Sequence, residues 1–264
     1  YLMLHSSFTD KIGLFDGKMG VILFFMNYAR YTGCKRYEKF AGELIDEIYT
    51  EIHIDCSANF GNGLAGIAWG MEYLIRNHFV KANPDEVLKE LDSRILERDV
   101  RKIKDFSIES GLKGIAYYVI NRCSGREYPF IFKDYMVDLT ESLQMSAQDD
   151  KESLDIINTL QTIINKNEVF KEMDFLTKFI AHIHINNPLN FTKGRSLGIR
   201  GGYAGIGLKM IQDANLDDNR NLFVVSVILI AGIGGLTLTF GDITLTEVAA
   251  ALILGILTNV MLSK

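Results

Sequence analysis

The sequence predicts an all-α fold of helical-hairpin repeats, arranged as a partial α/α toroid, and a C-terminal hydrophobic helical hairpin. Three observations predict this fold. A Gly-x-x-Gly pattern recurs along the chain, and each copy is followed by an apolar helical run. A more polar, amphipathic stretch follows the apolar run. The 264 residues include 23 glycines but only 3 prolines, which suits helices whose glycines hold fixed positions.

Composition and charge exclude several classes of protein. Hydrophobic residues make up 48% of the chain and aromatic residues 11%, which is too much for a disordered protein. At a formal net charge of −5 we expect no nucleic-acid partner. The three cysteines, Cys34, Cys56 and Cys123, are widely spaced and are predicted to be reduced thiols. No basic and apolar leader opens the sequence, so we expect a cytoplasmic chain.

A shift in composition predicts the domain organisation. Residues 221–264 include only 3 charged side chains, whereas the preceding part has the charge content of an ordinary globular domain. The shift falls in a polar stretch at 213–220. We therefore predict a helical-repeat domain at 1–212, a linker at 213–220 and a hydrophobic hairpin at 221–264.

The repeated motif predicts the order of the helices. Successive motifs begin 46, 48 and 91 residues apart, with the glycine pairs Gly17/Gly20, Gly63/Gly66, Gly111/Gly114 and Gly202/Gly205. The last spacing is close to twice the others, which predicts one degenerate unit between, with 151–165 as its candidate. Apolar residues three and four apart at 37–52 and 85–97 predict outer helices. Each unit is thus a glycine-rich turn, a buried inner helix and an outer helix.

The glycine turns are also the candidate binding site. Two glycines three apart remove Cβ atoms from one face of the first helical turn, which permits close packing or leaves helix N–H groups open to a ligand. Polar and aromatic side chains stand beside them, and a central cavity would gather them. Packing is the alternative for the glycines and the tryptophan, and helix capping is the alternative for the polar residues. The candidates are Asp16, Gly17, Gly20, Asn62, Gly63, Gly66, Trp69, Glu109, Gly111, Gly114, Gly202 and Gly205.

This pattern resembles the lanthionine synthetase C-like (LanC-like) family. The resemblance covers about 14–211 and is carried by 16–21 (DGKMGV), 62–74 (NGLAGIAWGMEYL), 110–115 (SGLKGI) and 201–207 (GGYAGIG). It implies an α/α toroid and a role in peptide modification. In the family's enzymes, zinc held by two cysteines and a histidine activates a peptide thiol. That thiolate adds to dehydroalanine or dehydrobutyrine and closes a thioether ring.

The zinc signature of those enzymes is missing from this sequence. The family carries an adjacent Cys-His pair and a separate Cys in late repeats, and this sequence has no Cys-His pair. The resemblance then implies a degenerate protein that binds a peptide substrate or a peptide-modifying partner, and enzyme activity and catalytic residues stay open. No cofactor is predicted, and zinc is expected only with retained cyclase activity. His53/Cys56 and His182/His184 are the remaining metal candidates, with a polar loop or a helix end as the alternative.

The apolar tail is predicted to form two helices. The runs 221–236 and 248–262 are near the lower length limit for a membrane helix, and extension through the intervening threonines gives about 20 residues, enough to span. A buried hairpin is the alternative to a membrane one, and the alternation around Gly241-Asp242 alone favours a β-hairpin. Flanking basic residues predict cytoplasmic ends, so the hairpin would tether the domain to the inner face of the cytoplasmic membrane.

The tail also resembles a second family. Residues 219–235 (NRNLFVVSVILIAGIGG) and the helix after them are similar to the last two membrane segments of uracil permeases, which are nucleobase–cation symporters. Transport in that family depends on acidic residues of earlier helices, so two helices imply no transport. Two unrelated resemblances joined at a linker imply a fusion. The alternative function is therefore a membrane component that contributes only its last two helices.

Overall fold

A computed structural model of the chain describes residues 2–52, 56–124, 128–146, 151–166, 175–181, 196–213, 219–233, 237–240 and 243–262. Within these ranges the regular structure is helical apart from one short β-hairpin, which confirms the all-α class. The helices are α1 (Leu2–Ser6), α2 (Lys18–Thr32), α3 (Lys35–Glu51), α4 (Leu64–Arg76), α5 (Pro84–Val87), α6 (Lys89–Leu96), α7 (Leu112–Cys123), α8 (Phe132–Ser146), α9 (Lys151–Lys166), α10 (Phe175–Ala181), α11 (Tyr203–Asp213), α12 (Asn219–Ile233) and α13 (Glu247–Met261). The strands are β1 (Leu238–Phe240) and β2 (Ile243–Leu245), and a 3₁₀ turn lies at Val100–Lys102.

The helices form two compact units. Unit 1 comprises Tyr1–Lys11, Asp16–Glu51 and Leu176–Lys264, and unit 2 comprises Ile12–Phe15 and Ile52–Phe175. The predicted linker lies mostly outside the described residues, so the predicted domain boundaries stay a prediction.

Unit 1 contains the first helical hairpin of the repeat series. Most of α2 is buried, whereas α3 buries only one face, with Leu44 and Ile48 fully covered. This is the predicted pairing of an apolar inner helix with an amphipathic outer one. α2 also packs against α11. At that contact the ring of Phe24 fills the space that a Cβ atom at Gly207 would need, so the helices that follow the first and last glycine turns are neighbours.

Unit 2 contains the next two inner helices and their covering helices. α4 and α7 pack together, α6 covers α4, and α8 covers α7. The single helix predicted at 85–97 is wrong in one respect, because the chain breaks at Leu88 into a one-turn α5 and the longer α6. α9 occupies the degenerate unit predicted at 151–165 and packs against both α7 and α8.

The last two helices, α12 and α13, pack against each other as the predicted hairpin. Each has 15 residues. The expected extension through the threonines is wrong, because that stretch forms the antiparallel pair β1–β2, in which Thr239 faces Thr244. β-Branched and apolar residues alternate there, a pattern that favours strands over helix. Among the helices of the described ranges, none combines the length and apolar character needed to cross a membrane.

Candidate functional site

Each of the four glycine turns has the same type of backbone hydrogen bond. The first residue of the inner helix donates its N–H to the carbonyl oxygen seven residues earlier. The four bonds are Lys18 to Lys11 (2.8 Å), Leu64 to Ser57 (2.8 Å), Leu112 to Asp105 (2.9 Å) and Tyr203 to Ser196 (3.1 Å). A seven-residue loop thus folds back over the helix N-terminus and binds an N–H group that the helix itself leaves free. We name this element the fold-back turn.

In three of the four turns, the first glycine of the pair lets the loop approach the helix. A Cβ atom there would lie within 2.4 Å of a loop carbonyl oxygen, which belongs to Ser57 for Gly63, Asp105 for Gly111 and Gly198 for Gly202. These oxygens belong to the backbone and cannot swing aside as the end of a side chain can. Glycine at this position is therefore a requirement of the turn itself.

In the second and third turns, the second glycine of the pair lies where two consecutive loops contact one helix. A Cβ atom at Gly66 would lie 1.8 Å from the carbonyl oxygen of Phe60 and 3.0 Å from Cβ of Leu14. A Cβ atom at Gly114 would lie 2.0 Å from the carbonyl oxygen of Ile108 and 2.6 Å from Cβ of Phe60. In both turns the glycine is enclosed by its own loop on one side and by the loop of the preceding repeat on the other.

Consecutive fold-back turns are also linked through their backbones. Phe15 donates its N–H to the carbonyl oxygen of Gly61 (2.7 Å), and Gly61 donates to that of Glu109 (2.8 Å). All three residues stand two positions before the first glycine of their repeat. Glu109, a predicted site residue, therefore contributes its main chain to the repeat structure. Its Cγ lies 2.7 Å from the position that a Cβ atom at Gly61 would take.

These contacts bear on the expectation that the N–H groups of the inner helices lie open to a ligand. The N-terminal N–H groups of the inner helices are not all open to an anionic ligand, because the first one in each binds a loop carbonyl. In α11 the next two are bound as well, from Ala204 to Leu197 (3.1 Å) and from Gly205 to Gly198 (3.3 Å). The N-cap residues of α2, α4 and α7 are glycines, so the N-cap position itself supplies no side-chain hydrogen bond at these three helices.

Trp69 lies in an aromatic cluster inside unit 2. Its side chain is 2% exposed, and its ring centroid lies 5.1 Å from that of Phe175, 5.6 Å from Tyr73 and 6.0 Å from Phe60. Edge-to-face and stacked contacts at these distances are favourable packing arrangements. This placement favours the packing interpretation of Trp69 over a ligand-stacking one.

Asp16 and Arg200 bring charge to the fold-back turns of unit 1. Asp16 precedes Gly17, and Arg200 stands two positions before Gly202. The carboxylate Oδ2 and guanidinium Nη2 are 3.3 Å apart, and the arginine side chain is 46% exposed. Arg200 was absent from the predicted site, because only its spacing to Gly202 marked it. It presents an accessible guanidinium that can bind a carboxylate group.

A second charged group lies between α7 and α9 of unit 2. Lys113 of α7 places its Nζ 3.0 Å from Oε2 of Glu152, in the first turn of α9. The hydroxyl of Tyr117 donates to Oε1 of the same carboxylate (2.9 Å). Sequence reasoning missed this cluster because α9 carries no glycine motif. Its only signal was a lysine inside the Gly-x-x-Gly spacer.

A buried lysine joins the first inner helix to its outer helix. Lys18 is 2% exposed, and its Nζ lies 2.5 Å from Glu51 and 2.9 Å from Glu47. Burial by itself lowers the pKa of Lys18, but the hydrogen bonds with Glu51 and Glu47 outweigh it, so the net pKa lies above the ordinary value. This ion pair holds α2 on α3.

A buried network of charges joins the helices of unit 2. Arg122 is fully buried and binds Asp92 through Nε and Nη2, the latter at 2.9 Å from Oδ2. Tyr118 donates its hydroxyl to the same carboxylate. Burial, together with the negative charge of Asp92, raises the pKa of Tyr118 well above its usual value. The network links α6 to α7 and is structural.

The described residues do not fit a zinc site. Within the described ranges, no three His, Cys, Asp or Glu side chains are grouped so that they could hold a metal ion. Cys34 and Cys56 are partly exposed, and Cys123 is buried at the end of α7. Cys56 was predicted as a metal candidate with His53, but His53, like the His182/His184 pair, lies outside the described residues.

Comparison with known proteins agrees with the helical repeats. A uracil permease of Bacillus caldolyticus is 40% identical over 78 residues, which is 28% of this chain and 18% of the permease, so the chain spans less than a fifth of that relative. No solved structure matches the chain with statistical significance. The family model described as lanthionine synthetase C-like protein matches residues 9–158, more than half of the chain and three of the four fold-back turns. The helical structure of the described ranges is consistent with the α/α toroid of that fold, and the chain belongs to the lanthionine synthetase C-like family.

Proposed function

We propose that this chain acts in peptide modification as a degenerate LanC-like protein that binds a peptide as a scaffold and does not close thioether rings. One observation carries the proposal: four fold-back turns keep the geometry of the repeats, whereas the sequence lacks the Cys-His pair of the cyclases. The turns are held by backbone atoms, so the repeats can be stable without any catalytic side chain.

The charged side chains beside the turns supply contacts for such a peptide. Arg200 is accessible and neutralised on one side by Asp16, so an acidic side chain or the C-terminal carboxylate of a peptide can share its guanidinium.

The test combines a binding assay with a thiol assay on the full chain. A fluorescein-labelled peptide with one cysteine, one dehydroalanine and an acidic C-terminus is titrated with protein, and binding is followed by anisotropy. Thiol addition to dehydroalanine leaves the peptide mass unchanged, so ring closure is detected as loss of iodoacetamide labelling. The proposal expects saturable binding with the thiol retained, both with and without added zinc.

Two variants locate the binding contact. Arg200→Gln is expected to weaken peptide binding roughly tenfold, the value of one charge-assisted hydrogen bond. Arg101→Gln is the matched control, since Arg101 is 65% exposed and pairs with Asp99 outside the fold-back turns. Absence of saturable binding contradicts the scaffold role, and zinc-dependent loss of the thiol contradicts the degenerate state.

A second candidate function is a membrane component related to uracil permease that contributes only its last two helices. The 40% identity over 78 residues favours it, although the chain covers 18% of that permease. This candidate includes the predicted fusion and the predicted tether to the inner face of the cytoplasmic membrane. It expects the full chain to resist alkaline carbonate extraction from cell membranes and to co-purify with other permease segments in detergent. Release by carbonate contradicts it.

A further inference from the structure

Side-chain sizes are distributed unusually in the α12–α13 hairpin. Three small residues of the hairpin are buried: Ala231 is 2% exposed, and Ala250 and Ala251 are at most 4% exposed. The helices approach closely there, because a Cβ atom at Gly255 would lie 2.4 Å from Cγ1 of Ile228. Six of the large apolar residues of α13 face outward, with exposures of 40–77%. These outward residues are Leu252, Ile253, Ile256, Leu257, Val260 and Met261, and we name them the outer face.

This distribution is the opposite of that expected for a helix in contact with water. A helix in contact with water buries its large apolar side chains and exposes polar ones. Helices surrounded by hydrocarbon instead use small residues for close mutual contact and turn their large aliphatic residues to the solvent. The outer face repeats at intervals of one, three and four residues, so it runs as one continuous apolar stripe along α13.

Charge on α13 favours hydrocarbon over a charged surface. In the described stretch 247–262, Glu247 at the first position is the one ionisable side chain, and it lies before the outer face begins. Binding to lipid headgroups through basic residues would need lysine or arginine on this helix. Residues 219–235 and the helix after them also resemble the last two membrane segments of uracil permeases, an observation independent of this geometry.

We propose that the outer face of α13 docks into the hydrocarbon of one leaflet of a phospholipid bilayer. Each helix of 15 residues is about 22 Å long. This is less than the roughly 30 Å of a bilayer core, so the hairpin lies within one leaflet. The inference rests on the membrane candidate for the function and is independent of peptide binding.

The test is flotation of the purified full chain with vesicles of phosphatidylcholine alone and with vesicles that also contain phosphatidylglycerol. The intact chain is expected to float with both kinds, to a similar extent at low and high salt. The double variant Leu252→Gln/Ile256→Gln is expected to bind vesicles at least tenfold more weakly than the parent chain. The control Phe130→Gln/Met145→Gln changes two residues that are 80% and 86% exposed elsewhere in the chain, and it is expected to float normally.

Each outcome bears on the proposal. Circular dichroism and urea unfolding of the variants distinguish lost docking from lost folding, and Ile256→Trp offers a second readout through a blue shift of emission on vesicle addition. Folded protein that stays unbound, or a double variant that still floats, overturns the inference. Resistance to carbonate extraction from cells without flotation on pure lipid also overturns it, while leaving the permease-component candidate intact. Self-association that hides the outer face and abolishes flotation identifies a second copy as the occupant and overturns it as well.

Discussion

Replacing Gly66 with alanine tests the steric account of the fold-back turn. The added Cβ would lie 1.8 Å from the carbonyl oxygen of Phe60, and about 1.2 Å of movement is needed before the pair reaches 3.0 Å. The loop cannot move away freely, because its Ser57 carbonyl is bound to the N–H of Leu64, and Leu14 blocks the other side at 3.0 Å. We expect a loss of about 3 kcal/mol in the free energy of unfolding. In a chain of this size, that corresponds to a melting temperature lower by roughly 6–12 °C.

Urea unfolding followed by far-UV circular dichroism measures this loss. Gly42→Ala is the matched control, since Gly42 lies within α3 and a Cβ atom there meets nothing within 4 Å. That change is expected to stabilise the protein by about 0.5–1 kcal/mol through lower backbone entropy of the unfolded chain. A Gly66→Ala variant as stable as the parent would refute the reasoning, because it would show that the loop does not rest on the helix.

Three further changes test the buried groups. Arg122→Met leaves the buried carboxylate of Asp92 without its cationic partner, with only the hydroxyl of Tyr118 bound to it, and is expected to cost about 3–5 kcal/mol in urea unfolding, whereas Arg122→Met/Asp92→Asn should recover part of that loss. The pKa of Lys18 is raised in the folded state, so its contribution is complete below the ordinary pKa of 10.5 and is lost as pH rises through the folded value. Urea midpoints at increasing alkaline pH should therefore fall more steeply for the parent than for Lys18→Met, and equal slopes would contradict the raised pKa. Trp69→Phe keeps an aromatic ring in the core and is expected to leave the peptide affinity unchanged, and a clear loss of affinity would restore the ligand role of Trp69.

The sequence was sufficient for the repeat architecture because its signals are local. Paired glycines before apolar runs predicted the starts of α2, α4, α7 and α11, and three- and four-residue spacing predicted the buried face of α3. Contacts between repeats produce no such local pattern in the sequence. The pairing of Lys113 with Glu152, and that of Asp16 with Arg200, depends on which helices become neighbours, and a sequence pattern along one helix does not report that.

The apolar tail shows a different limit of pattern reasoning. Both a long helix and a β-hairpin were compatible with the stretch 237–246, because threonine is tolerated in apolar helices and favoured in strands. The structure pairs Leu238 with Leu245 and ends α12 at Ile233. Periodicity alone cannot choose between these outcomes, since the choice depends on whether the strands find each other as partners.

The fold-back turn holds the helical repeats of this family through backbone contacts. Each turn has a loop carbonyl seven residues before the first residue of the helix, joined to it by a backbone hydrogen bond, and the two central turns leave no room for a Cβ atom at either motif glycine. Zinc ligands contribute nothing to these contacts. Loss of a zinc ligand therefore leaves the repeat intact, whereas loss of a motif glycine disrupts it. A match to the family through these turns thus reports the fold, and activity must be established from the side chains that the turns hold in place.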